Sequence, residues 1–483
     1  MPLRPPQRIT LFAFCALLAL VVSCGSARAP KRPPNVVVIV LDTVRPDYLS
    51  AYGHEHATSP YLERFARAGT RFDRAWSTSS WTLPAHASLF SGTLPAYHRA
   101  TQATEHIAAD VPLLAERLRA AGYQSVALSA NMWVSRETGL ARGFDSFHDE
   151  WSFRQRANAP GAQHPFVAAL HEWFQRMRKP EKPFFAFVNL TDAHMPYLPH
   201  WEEAQPFFKD QAAWQQAINE LFPDNGTGLL VREFGGGKKL DERELGELRA
   251  LYEGALRRVD AVTEALMAQV DANSDPANTL VFVLSDHGEN LGEHDQVNHV
   301  FNLYETCLRI TLLARGPGFE HGSVNERTVQ ITDVYPTILK QAGLEPEPDC
   351  VGLDLLSTLP EQRTLTASLE RPEITLGVFP ESLRQSGVLA RFDHELVAAV
   401  EPECKEILAV GGKSRLYDLV RDPGELAALD SLPPTARARL QGALARLQEL
   451  QFARRNAAIK GAVRQSVHAR AGLKDLGYIG EEK

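Results

Sequence analysis

Acidic and imidazole side chains stand directly after short apolar runs in this chain, and their types are those that hold a divalent metal or move a proton. Asp42 follows the run Asn35–Leu41, Asp192 and His194 follow Pro183–Leu190, and Asp286 and His287 follow Thr279–Ser285; Asn131 comes just after a fourth run, Ser125–Ser129. Each of these residues is also an ordinary turn former, so one exit alone says little, whereas the repeat at successive exits points to a site. A hydroxyl candidate lies in Ser79–Gly92. There Thr82 or a neighbour caps a helix, Pro84 falls in its first turn and Ser91-Gly92 stop it. A hydroxyl held at a helix amino terminus beside a metal is an activated nucleophile facing an anion. His86, four residues on, shares that helix face. The same segment also reads as a plain capped helix.

The four apolar runs have strand character, and between them Ser59–Ala68, Val111–Ala121, Phe166–Arg178 and Asp241–Val270 carry apolar residues at helical spacing. Near-continuous apolar strands alternating with helices predict an α/β fold, a mainly parallel sheet covered on both faces, whose ligands gather at the carboxyl ends of the strands. The predicted catalytic domain spans 35–363. Beyond it, 364–483 reads as a small β-containing subdomain built from Glu373–Phe379, Gly387–Phe392, Leu396–Val400 and the Leu416 stretch, closed by a helix over Pro433–Phe452. Asp210–Lys239, with Gly226 and Gly235-Gly236-Gly237, reads as a long insertion loop that shapes substrate access.

At 483 residues, 44% hydrophobic and 23% charged, the chain is an ordinary globular protein, which excludes disordered, collagenous and multi-pass membrane classes. A net charge of −8 offers no basic field, so no nucleic acid partner is expected. Arg4 and Arg8, the apolar run from Leu11 to Val22 and Val21-Val22-Ser23-Cys24 lay out an export signal over 1–23. Its Cys24 resembles the acylated cysteine of bacterial lipoproteins, with 24–34 as tether. The expected location is extracytoplasmic: periplasmic, or anchored by lipid at the outer membrane. Cys307, Cys350 and Cys404 are too few for a disulfide framework, and a single Cys350–Cys404 bridge stays open.

Asp42-Thr-Val-Arg-Pro-Asp47 with Tyr52-Gly53, Thr82-Leu-Pro-Ala-His-Ala-Ser88, Asp192-Ala-His-Met-Pro-Tyr197 and Ser285-Asp-His-Gly-Glu289 with Leu291-Gly-Glu-His294 together resemble the sulfatase family of the alkaline phosphatase superfamily. Leu303-Tyr-Glu305, Thr332-Asp-Val-Tyr-Pro-Thr337 and Leu416-Tyr-Asp-Leu419 extend the likeness over nearly all of the mature chain. The resemblance implies an alkaline phosphatase-like fold and hydrolysis of anionic esters. Two departures bear on mechanism. Sulfatases proper carry at the position of Thr82 a Cys or Ser converted to formylglycine, which threonine cannot become, and at the position of His86 usually an Arg. The set Asp42, Thr82, Asp286 and His287 is instead similar to the metal site of lipoteichoic acid synthases and phosphoethanolamine transferases, which use Thr as nucleophile. It implies one divalent ion, with two carboxylates, an imidazole and a hydroxyl suiting Zn²⁺ or Mn²⁺ better than Ca²⁺.

By the same likeness Thr82 is the nucleophile, no formylglycine is expected, and His194 and His299 bind developing charge or protonate the leaving oxygen. Arg45 and Asn131 are candidates for contact with the substrate oxyanion, although Arg45 equally suits a neighbouring acid. Glu289, His294 and Asp295 crowd the loop of His287. Three functions stay open: a hydrolase of sulfate or phosphate esters, free or carried on a glycan or lipid; a transferase passing a phosphate-linked group to an acceptor alcohol on a glycan or lipid; and a non-catalytic sulfatase-like binding protein.

Overall fold

Asn35–Leu41 is a run of Val, Ile and Leu after its first residue because both of its faces are covered, and all seven residues are buried. In the computed structural model, which describes residues 32–149, 164–224, 226–371, 376–377 and 379–455, this run is β1, inside an eight-stranded sheet. The other strands are β2 (Thr70–Phe72), β4 (Gln124–Ser129), β5 (Ser146–His148), β6 (Phe184–Leu190), β7 (Thr279–Leu284), β10 (Leu312–Arg315) and β11 (Ser323–Asn325), in the spatial order β11-β2-β10-β7-β1-β6-β4-β5. From β5 to β7 every pairing is parallel. Only β10 runs against the other described strands of the sheet. Leu41 pairs with Leu190, Val40 with Leu284 and Ser129 with Asn189, so β4, β6, β1 and β7 end level and side by side.

Helices cover this sheet: α1 (Pro60–Arg67), α2 (Thr82–Ser91), α3 (Leu114–Ala120) and α4 (Pro165–Glu172), which runs on into a π-helical turn at Trp173–Met177. The segment predicted as an insertion loop is instead helical, with α5 (Gln211–Leu221) and α6 (Thr227–Phe234). Asp210 caps α5 by accepting from Ala213 N, and left-handed Gly226 precedes α6, so the residues that read as loop punctuation are helix boundaries. The long helix α7 (Glu242–Asn273) opens with a capping box in which Asp241 and Glu244 each accept the other's backbone N–H, an arrangement worth about 1 kcal/mol.

Two short pairs, β3 (Ala75–Trp76) with β12 (Val329–Gln330) and β8 (Asn290–Leu291) with β9 (Val297–Asn298), lie outside the main sheet. The C-terminal part holds a four-stranded antiparallel sheet, β13 (Leu365–Leu369), β14 (Leu396–Glu401), β15 (Cys404–Ala409) and β16 (Ser414–Asp418), and the helix α8 (Pro434–Arg455). Alternate residues of β14 serve two cores: Ala398 and Val400 join the main one, while Val397 and Ala399 pack with Leu440, Leu444 and Leu447 of α8. Gly387–Phe392 is not a strand, because left-handed Gly387 starts a 3-10 turn over Val388–Phe392. Glu373–Phe379 falls largely outside the described residues, as do the export signal and Cys24. Cys307, Cys350 and Cys404 are free thiols, so the Cys350–Cys404 bridge is not formed. No described helix is long and apolar enough to cross a membrane.

Candidate active site

The level ends of β4, β6, β1 and β7 bring Asn131, His194, Asp42 and the Asp286-His287 pair together. The turn after β1 is strained: Thr43 has φ +61, which costs a β-branched residue about 1–3 kcal/mol. It is held by Tyr252 of α7, whose hydroxyl donates to Thr43 O at 2.8 Å and accepts from Arg45 N at 3.0 Å. The same turn points Thr43 N at Asp286 Oδ1, 3.3 Å away. After β7, Gly288 is required because a Cβ there would stand 2.0 Å from Thr306 O. That close approach lets Gly288 N and Glu289 N donate to Cys307 O and Thr306 O, which fixes the loop.

Thr82 is the first residue of α2, not its cap; Trp81 holds the cap position without a side-chain hydrogen bond, and Pro84 and Gly92 punctuate the helix as expected. Every residue of α2 is buried. Thr82 Oγ1 lies 3.3 Å from His287 Nε2. That imidazole has its Nδ1 3.0 Å from Gly288 O, which only an N–H can satisfy, so Nε2 is left as an acceptor. It faces Asp286 Oδ2 at 3.3 Å and Asp42 Oδ1 at 4.0 Å. Both of those carboxylate oxygens are buried, and among the described residues neither has a hydrogen-bond donor.

Two buried carboxylate oxygens without a hydrogen bond, converging on an acceptor nitrogen, are unfavourable by themselves and are relieved by a cation. Burial pushes the Asp42 carboxyl up to about 7, with the neighbouring Asp286 charge adding to it and His287 and Asn131 opposing. Burial likewise raises Asp286 to about 7 against the donors Thr43 N and His287 N, and it lowers the basicity of His287. Asp42, Asp286 and His287 group as potential metal ligands with Thr82 beside them, and the orphaned oxygens show that this donor set fits a divalent ion.

His299 stacks near His287 with ring centroids 4.3 Å apart, and His194 lies 5.2 Å from His299. Nδ1 of His299 is 3.1 Å from Glu289 Oε1 and Nδ1 of His194 is 2.6 Å from Met195 O, so both rings are held in one orientation. His86 reaches Thr82 through its backbone carbonyl, at 2.9 Å, and stands 3.4 Å from Asp286 Oδ2; burial holds it down at about 3. It meets a carboxylate of the cluster, not the hydroxyl.

Two candidates for oxyanion contact make hydrogen bonds within the protein. Asn131 Nδ2 donates to Asp42 Oδ2 at 2.7 Å and lies 3.4 Å from Thr82 Oγ1, while its Oδ1 accepts from Trp133 N. It therefore positions two members of the cluster. Arg45 gives its guanidinium to Asp47, Glu293 and the Glu289 carbonyl, the acid-pairing alternative. Trp76 and Trp81 are packed aromatics. Asp192 is tied to Arg258 and His164, and His294 stacks on Tyr304. Asn189, which sequence reasoning passed over, donates to His86 Nε2 at 3.4 Å; its signal was a polar residue inside the apolar run of β6.

A mainly parallel α/β sheet with carboxylates, imidazoles and a hydroxyl converging at its carboxyl edge is the architecture of the alkaline phosphatase superfamily. Residues 34–344 match the family model described as Sulfatase, and the chain belongs to the sulfatase family, hydrolases acting on ester bonds. It is 23% identical over 443 residues to a choline-sulfatase of Rhizobium meliloti (strain 1021), covering 83% of each chain. It is 25% identical over 377 residues to the N-acetylgalactosamine-6-sulfatase of Homo sapiens, covering 71% of this chain and 68% of the relative. The crystal structure of a phosphonate monoester hydrolase of Agrobacterium radiobacter superposes with a TM-score of 0.66 at 20% identity, over 87% of this chain and 96% of that one.

Proposed function

We propose that this protein is an exported, metal-dependent hydrolase of sulfate or phosphate esters whose nucleophile is the Thr82 hydroxyl. The observation that carries the reading is Thr82 Oγ1, 3.3 Å from the acceptor Nε2 of His287, which itself faces two carboxylate oxygens without a hydrogen bond. Asp42, Thr82, Asp286 and His287 would hold one divalent ion, Zn²⁺ or Mn²⁺ by donor chemistry, which would lower the pKa of the hydroxyl, so that its proton passes to solvent, and would polarise the ester. Asn131 keeps Asp42 and Thr82 in register. Thr82 Oγ forms a bond to sulfur or phosphorus as the bond to the leaving oxygen breaks, giving a phospho- or sulfo-threonine. Burial raises the Glu289 carboxyl well above its usual range, so that it holds a proton and donates it to His299 Nδ1; His299 then carries its own proton on Nε2 for the leaving oxygen, and His194 steadies the developing charge. Water then hydrolyses the threonine ester.

A threonine cannot yield formylglycine, which favours phosphorus esters, while the sulfatase relatives favour sulfate on a small alcohol or a glycan. Export with a lipid on Cys24 agrees with the basic, apolar and Ser23-Cys24 layout of the first residues. Turnover of an aryl sulfate, an aryl phosphodiester and an aryl phosphonate monoester in parallel, by wild type and Thr82→Ala, tests the proposal. Cleavage that needs Thr82 and added Zn²⁺ or Mn²⁺ is expected; wild-type rates from Thr82→Ala would overturn it.

A further inference from the structure

We infer that His54, His56 and Glu253 form a second, structural zinc site that locks the segment after β1 onto α7. Glu253 lies on α7 with its side chain only 9% exposed. The partners of that carboxylate among the described residues are two imidazoles: His54 Nε2 is 2.9 Å from Oε1, and His56 Nδ1 is 3.0 Å from Oε1 and 2.9 Å from Oε2. No Lys or Arg among the described residues pairs with it; Arg257, one turn along α7, gives its guanidinium to Ala57 O. Two imidazole nitrogens converging on one nearly buried carboxylate are a donor set that zinc takes in place of the ring protons, with water in the remaining position. The three groups meet the geometric condition for a shared ion, their ligand atoms lying within 4.8 Å of one another. Nitrogen donors favour zinc over calcium.

The placement says what such an ion does. His54 and His56 straddle the loop that begins at Asp42, and the ring of His54 stacks on Tyr48, which packs edge-on against Tyr252. Tyr252, next to Glu253, holds the strained Thr43 turn, and Asp260 farther along α7 accepts from Tyr61 N and Leu62 N. One helix thus grips residues 43–62 at three places, and the proposed ion is the middle clamp. None of its ligands belongs to the Thr82 cluster, so the ion stabilises without entering the reaction.

The test strips the mature protein of metal, refills it with Zn²⁺ and counts zinc by mass spectrometry after passage over chelating resin. Wild type should retain one zinc ion more than either Asp286→Ala or the double variant His54→Ala/His56→Ala, and the combined triple variant should retain none. In the Asp286→Ala background Zn²⁺ should raise Tm, and adding His56→Ala, at a half-exposed position that folding tolerates, should erase that shift. His54→Ala/His56→Ala should keep the wild-type kcat. Equal zinc content in wild type and the double variant, or a Tm shift in Asp286→Ala that survives His56→Ala, would overturn the inference. The two sites fail separately, because loss of zinc through Asp286→Ala alone leaves the second count unchanged.

Discussion

Two buried charge clusters in this molecule are built on opposite plans. Near the C-terminal sheet, Lys405 has no exposed surface and lies 3.0 Å from both Glu305 and Glu425; burial alone would depress its basicity, but the two carboxylates outweigh that and raise it. Asp333 is likewise met by Arg363 at 2.6 Å. At the carboxyl edge of the main sheet, Asp42 and Asp286 are equally buried, yet among the described residues neither orphaned oxygen receives a hydrogen bond, and His287 turns an acceptor nitrogen towards both. Where the chain needs only to fold, it supplies the countercharge itself; where it does chemistry, it leaves the countercharge to a ligand and folds at a cost.

The largest expected effect is on turnover. Thr82→Ala should lower kcat/KM by about three orders of magnitude or more while leaving the fold and the Lys405 cluster intact, as steady-state kinetics with circular dichroism would show. Stability should then separate the clusters by sign. In metal-free protein, Asp286→Asn should raise stability by roughly 1–3 kcal/mol, since the amide keeps an acceptor for Thr43 N and His287 N and turns a donor to His287 Nε2. Glu425→Gln should lower it by a similar amount because it strips Lys405 of a partner. Denaturant melts giving the same sign for both would break the contrast.

pH sharpens the contrast further. Asp286 sits at about 7 when folded, above its unfolded value, so the folded chain binds the extra proton between about pH 4 and 7 and loses stability as pH rises through that window. The stability advantage of metal-free Asp286→Asn over wild type should therefore be near zero at low pH and grow up to about pH 7. His86, held at about 3, acts in the opposite direction and cancels in that difference because both proteins carry it. A difference flat in pH would show that the carboxylate is not desolvated. The smallest effect is expected from Asn131→Ala, a loss of about ten- to a hundredfold in kcat with KM little changed, since Asn131 positions Asp42 and Thr82.

Much of this was legible in the chain, for identifiable reasons. Asn35–Leu41 and Thr279–Leu284 announce themselves because strands covered on both faces must be continuously apolar, and Asp42 and Asp286 stand out at their ends for the same reason. The three-residue strands β2 and β11 carry too few residues for a period to show. The glycines and Asp210 of 210–239 gave the same signal whether they end helices or make a loop, and the helices proved the right answer. For Arg45 and Asn131 the sequence leaves the partner open, because a donor near a site looks the same whether it serves substrate or neighbours, and distances place Arg45 on acids and Asn131 on Asp42 and Thr82. The Glu253 clamp joins residues about two hundred positions apart, which spacing along a chain cannot reveal.

The most direct test of a threonine acting in a cation-requiring site is to quench the metal-loaded enzyme during turnover and map the modified peptide by mass spectrometry. One phosphoryl or sulfuryl group is expected on Thr82, present with substrate and Zn²⁺ or Mn²⁺ and absent from metal-stripped protein. Undiminished turnover with Thr82 unmodified, or with the adduct on another residue, would contradict it.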